Sequence, residues 1–398
     1  MSMLSTELEE LLAEGIDSVL QRERNTYDEL TTPLDKEVVL FGAGNLGRKT
    51  LAGLLRLGVR PLVFADNNPA LWGKHVDGLR VLSPRDAADR YGKSASFVIT
   101  IWRGEGTDRM PERRQQLINL QCSKVVSFVP LFWKFPDIFL PHYAIDLPHK
   151  VYEQHSEVRQ AFALWGDDAS RLEYLAQLRW RMLSDFDGLP LPVKHKIYFP
   201  TDLVQVTGDD LFVDCGAFDG DTVRSFLHER HESFSKIVAL EPDPVNFGKL
   251  ENYVSKLPRN IRDKMIVYPM AAGACRGKVR FDATGTESSS VGSAGTMEID
   301  CITLDEILDG AGSSYIKLDI EGAEPDALAG CRNAIKNASA VLAVCVYHRQ
   351  DHVWRIPLMI REMSDQYRFF LRPHLLEGWD LVCYAIPVAR LVEGDRRG

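Results

Sequence analysis

Two short stretches set proton-handling and charged side chains directly behind apolar runs. One is Tyr315-Ile316-Lys317-Leu318-Asp319-Ile320-Glu321-Gly322-Ala323-Glu324, and the other runs through Val344-Cys345-Val346 into Tyr347-His348-Arg349. Strands ending this way deliver such groups to the crevice at the carboxyl edge of an open α/β sheet. There a neutral histidine, with an ordinary pKa near ~6.5, can take the proton of an alcohol as it attacks an electrophile. His348 is therefore the leading catalytic candidate and Asp319 the backup base, while Asp319 and Glu321 are placed either near the positive charge of the electrophile or where they orient the acceptor. Asp351 is read as orienting the His348 ring or capping the next helix, Glu324 as capping the helix from Pro325, and Lys317 as pairing with an acid. Asp319, Glu321 and His348 could also gather a hard cation, but three groups on two strand ends define no coordination sphere, and no metal is expected.

A glycine-rich turn precedes these runs: Asp214-Cys215-Gly216-Ala217-Phe218-Asp219-Gly220-Asp221-Thr222 follows the apolar Leu211-Phe212-Val213. Asp214, Asp219 and Asp221 would repel a pyrophosphate. They suit a ligand with a sulfonium, an ammonium and ribose hydroxyls, which describes S-adenosylmethionine, and Gly216 and Gly220 leave it room. Glu241, opening Glu241-Pro242-Asp243, follows Gly216 by twenty-five residues at the end of the next apolar run, where a carboxylate can accept both ribose hydroxyls. Ala271, in Val267-Tyr268-Pro269-Met270-Ala271-Ala272, would approach the adenine. The cofactor candidates are Asp214, Gly216, Ala217, Phe218, Asp219, Gly220, Asp221, Thr222, Glu241, Pro242, Asp243, Ala271 and Asp319.

The words VDCGAFDGDT, ALEPDP, IDCITLDEIL, IKLDIEGAEPDALAG and LAVCVYHRQDHVW, in this order, resemble FkbM-type S-adenosylmethionine-dependent O-methyltransferases over about 198–387. The resemblance implies S-adenosylmethionine as cofactor and a hydroxyl acceptor of the sugar, nucleotide-linked sugar, glycan or natural-product class.

A different glycine-rich turn lies near the start. Val38-Val39-Leu40-Phe41 leads into Gly42-Ala43-Gly44-Asn45-Leu46-Gly47 and a helix-like stretch. This is G-x-G-x-x-G in its strand-to-helix context: Gly42 allows the turn, Gly44 lets a phosphate approach, and Gly47 allows close packing. Asp66 follows Gly42 by twenty-four residues and could meet a ribose hydroxyl. The candidates are Gly42, Gly44, Asn45, Leu46, Gly47 and Asp66, with an unliganded scaffold as the alternative. FGAGNLGRKTLAGLLRLGV and FADNNPALWGKHVDGLRVLSP resemble small Rossmann-like modules appended to sugar-modifying acyltransferases and sugar methyltransferases, which implies a nucleotide or nucleotide sugar.

The elements that must hold these residues follow from apolar rhythm. Runs at 38–41, 62–65, 97–101 and 125–128 alternate with amphipathic stretches, predicting a parallel α/β module over 1–130 with a leading helix on Leu4, Leu8, Leu11, Leu12, Ile16 and Leu20. A helical, proline-rich connector is expected over 131–197. Over 198–398, runs at 211–215, 237–240, 265–270, 315–320 and 341–346 predict five parallel strands. Runs at 367–371 and 381–386, separated by RPHLLEGWD, predict a terminal antiparallel pair. The expected fold class is α/β, with two Rossmann-like domains, the second a seven-stranded class I methyltransferase sheet. The polar stretch 284–292 is either a closing loop or a plain hairpin. Arg349, Arg372 and His374 are candidate anion binders.

At 398 residues the chain exceeds the ~250–300 that one core usually supports. The net charge of −9 gives no basic field for nucleic acid. Seven cysteines without a C-x-x-C pair argue against a disulfide framework or zinc site, and no apolar run approaches the ~20 residues of a membrane span. A soluble, cytoplasmic protein is expected, with homo-oligomerisation left open. The rival readings are a nicotinamide-dependent oxidoreductase using the first turn and a non-catalytic nucleotide-sugar-binding protein.

Overall fold

The computed structural model describes residues 3–31, 37–106, 108–205, 207–230, 233–286, 289–292, 295–309, 312–337 and 339–392. They form two compact units. The first takes residues up to 155 with 172–192 and 375–379, and the second takes 156–171, 193–374 and the chain from 380. Residues 131–197, read from sequence as a connector, are thus divided between the two units, and the short 375–379 segment joins the first.

The first unit is built on β1 (Val38–Phe41), β2 (Val63–Ala65), β3 (His75–Val76), β4 (Leu79–Leu82), β5 (Ser96–Ile99) and β6 (Lys124–Ser127), in spatial order β3-β4-β2-β1-β5-β6. All pairings are parallel except β3 with β4. Every residue of β1, β2 and β5 is buried, as expected of strands covered on both faces. The leading segment forms two helices, Met3–Leu12 and Ile16–Leu30, rather than one. Leu8, Leu12, Val19 and Tyr27 are buried, whereas Ile16 is exposed.

The second unit holds β7 (Leu211–Cys215), β8 (Lys236–Leu240), β9 (Met265–Tyr268), β10 (Met270–Ala272), β11 (Gly277–Asp282), β12 (Ser290–Val291), β13 (Met297–Ile302), β14 (Ser314–Leu318), β15 (Ala340–Cys345), β16 (Tyr367–Pro373) and β17 (Leu381–Pro387). Seven of these form one sheet, ordered β16-β17-β15-β14-β7-β8-β9. The four pairings from β15 to β9 are parallel, and β17 joins antiparallel to both β15 and β16, so five parallel strands end in an antiparallel pair, as the sequence predicts. The apolar run at 265–270 is not one strand. Pro269 interrupts it, and β10 leaves to join a second sheet, β10-β13-β11-β12, that sequence reading did not anticipate.

One helix beside the strand ends starts at a side-chain cap that the sequence supplies. Asp243 accepts the N–H groups of Val245 and Asn246, with Pro244 in the first turn, and starts the helix Pro244–Ser255. The parallel order puts the carboxyl ends of β7, β8, β14 and β15 along one edge. The turns carrying Gly216, Glu241, Asp319 and His348 all leave from that edge.

Candidate active site at the strand ends of the second unit

The turn after β7 is shaped by positive φ angles at Gly216 (80°), Phe218 (48°) and Gly220 (89°). Glycine is required at 216 for a second reason: a Cβ there would lie 2.0 Å from the carbonyl oxygen of Asp319. Gly216 and Ala217 both donate to the Leu240 carbonyl, each at 3.0 Å. The turn is thereby tied to the strand ends on both sides.

Glu241 closes that tie from β8. Its Oε2 accepts the Phe218 N–H at 2.8 Å and its Oε1 accepts the Asp243 N–H at 2.8 Å, while burial lifts the carboxyl to about 7 against these donors. A buried carboxylate with two oxygens and lone pairs to spare suits a vicinal pair of hydroxyls.

His348, 3% exposed, stands at the centre of an acidic cluster. Its Nδ1 lies 2.8 Å from Glu324 Oε1, and its Nε2 lies 3.3 Å from Asp319 Oδ1 and 3.6 Å from Glu321 Oε1. Burial alone would push its pKa down, but the Glu324, Glu321 and Asp319 carboxylates overcome this and hold it up at about 10. The carboxylates thus favour the protonated form of the ring. Glu324 is fully buried. Burial disfavours its charge, yet His348 and the hydrogen bonds it accepts hold the carboxyl down at about 2. Its Oε2 lies 3.3 Å from Nδ1 of His352, whose pKa burial pushes down to about 4. Glu321 adopts φ 55°, an uncommon conformation for a non-glycine residue and one that recurs at functional turns.

Residues 214–372 match the methyltransferase FkbM domain family. The second unit carries an FkbM methyltransferase domain. The match spans the glycine turn, Glu241, Asp319 and His348 together. A methyltransferase FkbM from Methylobacillus flagellatus KT has the same fold, with a TM-score of 0.78 at 19% identity over 96% of this chain and 99% of that one. Two other solved structures are far more distant. A precorrin-6y C5,15-methyltransferase from Geobacter metallireducens GS-15 gives a TM-score of 0.28 at 12% identity over 46% of this chain and 81% of that one. A putative rRNA-methylase from Clostridium thermocellum gives 0.29 at 10% over 49% and 98%. No curated protein matches the chain.

Several expected cofactor contacts of the FkbM domain have other partners. Asp214 is fully buried, with Oδ1 3.1 Å from Lys317 Nζ. Burial lifts Asp214 to about 6 against the pull of Lys317. Lys317 also donates to the carbonyls of Gly216 at 2.6 Å and Cys215 at 3.2 Å. The pair braces the turn from beneath. Asp219 pairs with Arg224 at 2.5 Å. Asp221 and Thr222 open the helix Asp221–Arg230, with Thr222 buried. Asp243 is a helix cap whose Oδ2 also accepts Gly285 N–H at 2.8 Å and Ser289 Oγ–H at 2.7 Å. Pro242, between Glu241 and that cap, is partly buried. Ala271 is buried in β10, registered with Cys301.

The stretch 284–292 begins beyond β11 and returns through β12, a hairpin held to Asp243; Glu287 and Ser288 lie outside the described residues. Asp351 does not orient His348. It contacts Arg355 at 3.4 Å, and Glu324 takes the orienting position instead. Arg372 is committed to Asp167 at 2.5 Å and Ser170 at 2.8 Å, and His374 to the Tyr384 hydroxyl at 2.8 Å. Arg349 is exposed beside Gly322. Among the described residues no group of three or more His, Cys, Asp or Glu side chains is arranged to hold a metal ion, and no helix is long and apolar enough to cross a membrane.

Sequence reading missed two polar groups at this site. Tyr198 donates its hydroxyl to Asp319 Oδ2 at 2.8 Å, and Tyr347 donates to Oδ1 at 3.4 Å. Tyr347, directly before His348, was readable from its position. Tyr198 is 121 residues from Asp319 and gave no pattern to read.

In the first unit the turn after β1 is built as its glycines require. Gly42 has φ 120°, and a Cβ on Gly47 would lie 1.9 Å from the Gly42 carbonyl. A Cβ on Gly44 would meet nothing within 4 Å, leaving the start of the helix Asn45–Arg56 open. Leu46 is partly buried, and Asn45 accepts from Arg48 at 2.8 Å. Asp66 Oδ2 accepts the Ala43 N–H at 2.8 Å. An open groove of about 910 Å³ adjoins the end of β2, lined by Asn67, Trp72, Ser83, Arg85, Glu112 and Gln116 among others.

Proposed function

We propose that the FkbM domain uses S-adenosylmethionine to methylate a hydroxyl of a sugar, nucleotide-linked sugar, glycan or related natural product. The observation that carries this reading is the convergence of Glu241, Asp319, Glu321 and His348 at adjoining strand ends around a positive-φ glycine turn. The donor set fits the cofactor. Carboxylates suit a sulfonium and an ammonium, Glu241 suits ribose hydroxyls, and the turn needs glycine where the backbone closes in.

When bound, S-adenosylmethionine supplies a methyl group on positively charged sulfur. Glu241 would hold the ribose, the turn 216–220 the backbone-facing edge of the methionine part, and Asp319 the positive charge. His348 then accepts the hydroxyl proton at Nε2 while Glu324 holds Nδ1 and fixes the ring. Because three carboxylates keep a proton on His348 in the free protein, it becomes a base only once positive charge stands against Asp319 and Glu321. Positioning of the hydroxyl supplies the remainder of the acceleration.

The open turn at Gly44, Asp66 and the adjoining groove favour a companion role for the first unit: holding the nucleotide part of the acceptor or a free nucleotide. Incubating the chain with isotopically labelled S-adenosylmethionine and a panel of glycans and nucleotide sugars, followed by mass spectrometry, tests the reading. A labelled methyl ether supports it. A folded sample that binds no donor overturns it.

A further inference from the structure

Tyr198 lies outside every motif described above, in the segment before β7, yet it is held more tightly than a packing residue needs. Its backbone N–H donates to the Tyr384 hydroxyl at 2.9 Å, and its carbonyl accepts the Tyr315 hydroxyl. Its φ is 66°, costly for a bulky aromatic residue and sustained only where the surroundings fix it. The ring stands over buried Lys317, with Nζ 5.5 Å from its centre, and the side chain ends at Asp319 Oδ2, 2.8 Å away. Strain, two backbone anchors and a cation beneath the ring all serve one result, the fixed direction of a phenol O–H.

The two oxygens of Asp319 are held differently. Oδ2 receives the short bond from Tyr198. Oδ1 receives the longer one from Tyr347 and lies 3.3 Å from His348 Nε2. Tyr198 thus supplies the stronger tether that stops the carboxylate from swinging wholly toward the imidazolium. Burial holds the phenol protonated, so it remains a donor to that carboxylate across the working pH range.

We propose that Tyr198 is a positioning residue that fixes the Asp319 carboxylate toward the positive charge of the methyl donor, and so sets how strongly the domain prefers the cationic donor over its neutral demethylated product. This rests on the S-adenosylmethionine reading above. A hydrogen bond to a charged group is strong enough for its loss to change a binding ratio by roughly tenfold or more.

The test is calorimetry of S-adenosylmethionine and S-adenosylhomocysteine with the full chain, comparing wild type, Tyr198→Phe and Tyr347→Phe, each checked for an unchanged melting temperature. Tyr198→Phe keeps the ring and both backbone anchors. The expected result is a shift of the affinity ratio toward the neutral product by roughly tenfold, with a smaller shift for Tyr347→Phe. A merely structural role would weaken both ligands alike, and an unchanged ratio or an equal loss for both overturns the proposal. Should Tyr198→Phe not fold, 3-fluorotyrosine placed at 198 changes the donor strength of the phenol while keeping the ring and must move the same affinity ratio; an unmoved ratio overturns the proposal. Wild type that binds neither ligand overturns the donor reading itself, an outcome distinct from the others.

Discussion

His348 Nδ1 and Glu324 Oε1 are 2.8 Å apart, and both side chains are almost wholly withdrawn from water. Glu324 also accepts the backbone N–H of Ile320 at 3.0 Å and of Gly322 at 3.4 Å, so one carboxylate joins the turn after β14 to the histidine after β15. The ring is aimed by this contact, with Nε2 toward Asp319 and Glu321.

Replacing His348 with Ala should lower turnover by about 10²–10⁴-fold, the usual contribution of a positioned proton acceptor. Donor affinity should not fall, because the substitution removes a cation from beside Asp319. Glu324→Gln should lower turnover at similar donor affinity. Steady-state kinetics with calorimetry checks both, and unchanged turnover in His348→Ala would remove it as the base.

Donor affinity should weaken as pH falls through neutrality. Glu241 has its carboxyl lifted to about 7, so below that pH it is increasingly protonated and a poorer acceptor, costing up to about tenfold per pH unit. The imidazolium of His348 acts in the same direction. Titrations from pH 8 to 6 check this, and Glu241→Gln should flatten the slope. At higher pH, around 8 to 9, donor binding should release a proton as His348 discharges, visible as a dependence of the binding heat on the buffer's ionisation enthalpy.

The Asp214–Lys317 pair should matter for stability and for the turn. Burial alone would lower the Lys317 pKa, but Asp214, Asp319 and Asp221 hold it charged. Lys317→Met leaves Asp214 buried without its partner and should cost about 3–5 kcal/mol, whereas Asp214→Asn with Lys317→Met should cost less than the sum of the singles. Denaturant melts of the three variants measure this. Strict additivity would contradict a coupled pair.

Much of this was legible in the sequence, for identifiable reasons. The seven-stranded sheet showed because strands buried on both faces must be apolar throughout, as in Phe212-Val213 and Val341-Leu342-Ala343. The four-stranded sheet did not, because Gly277–Asp282 exposes most of its side chains and reads as polar loop. The short pair β3–β4 escaped as well, although Asp77-Gly78 at its turn was a usable hairpin signal. Asp319, Glu321 and His348 were expected near one another and are. Which acid orients His348 was not readable, since Asp351 and Glu324 are both spaced for it and only the path of the chain after β14 decides. The pairing of Asp214 with Lys317 was not readable either, because it joins residues more than a hundred positions apart that only the β7–β14 register brings together.

In the first unit, Gly44→Asp should leave the melting temperature unchanged, because the added side chain enters open space, while its charge opposes a phosphate. If the turn holds a nucleotide, binding of uridine or adenosine diphosphate by wild type should be lost in the variant. Equal binding by both would place any nucleotide elsewhere.

The most direct measurement of the account as a whole is transfer of an isotopically labelled methyl group from S-adenosylmethionine by the full chain, with the labelled atom's bonding partner located by NMR. The label should appear as a methyl ether on a hydroxyl oxygen, formed by wild type and reduced at least about a hundredfold in His348→Ala. A label on nitrogen or carbon, or equal transfer by the variant, would contradict it.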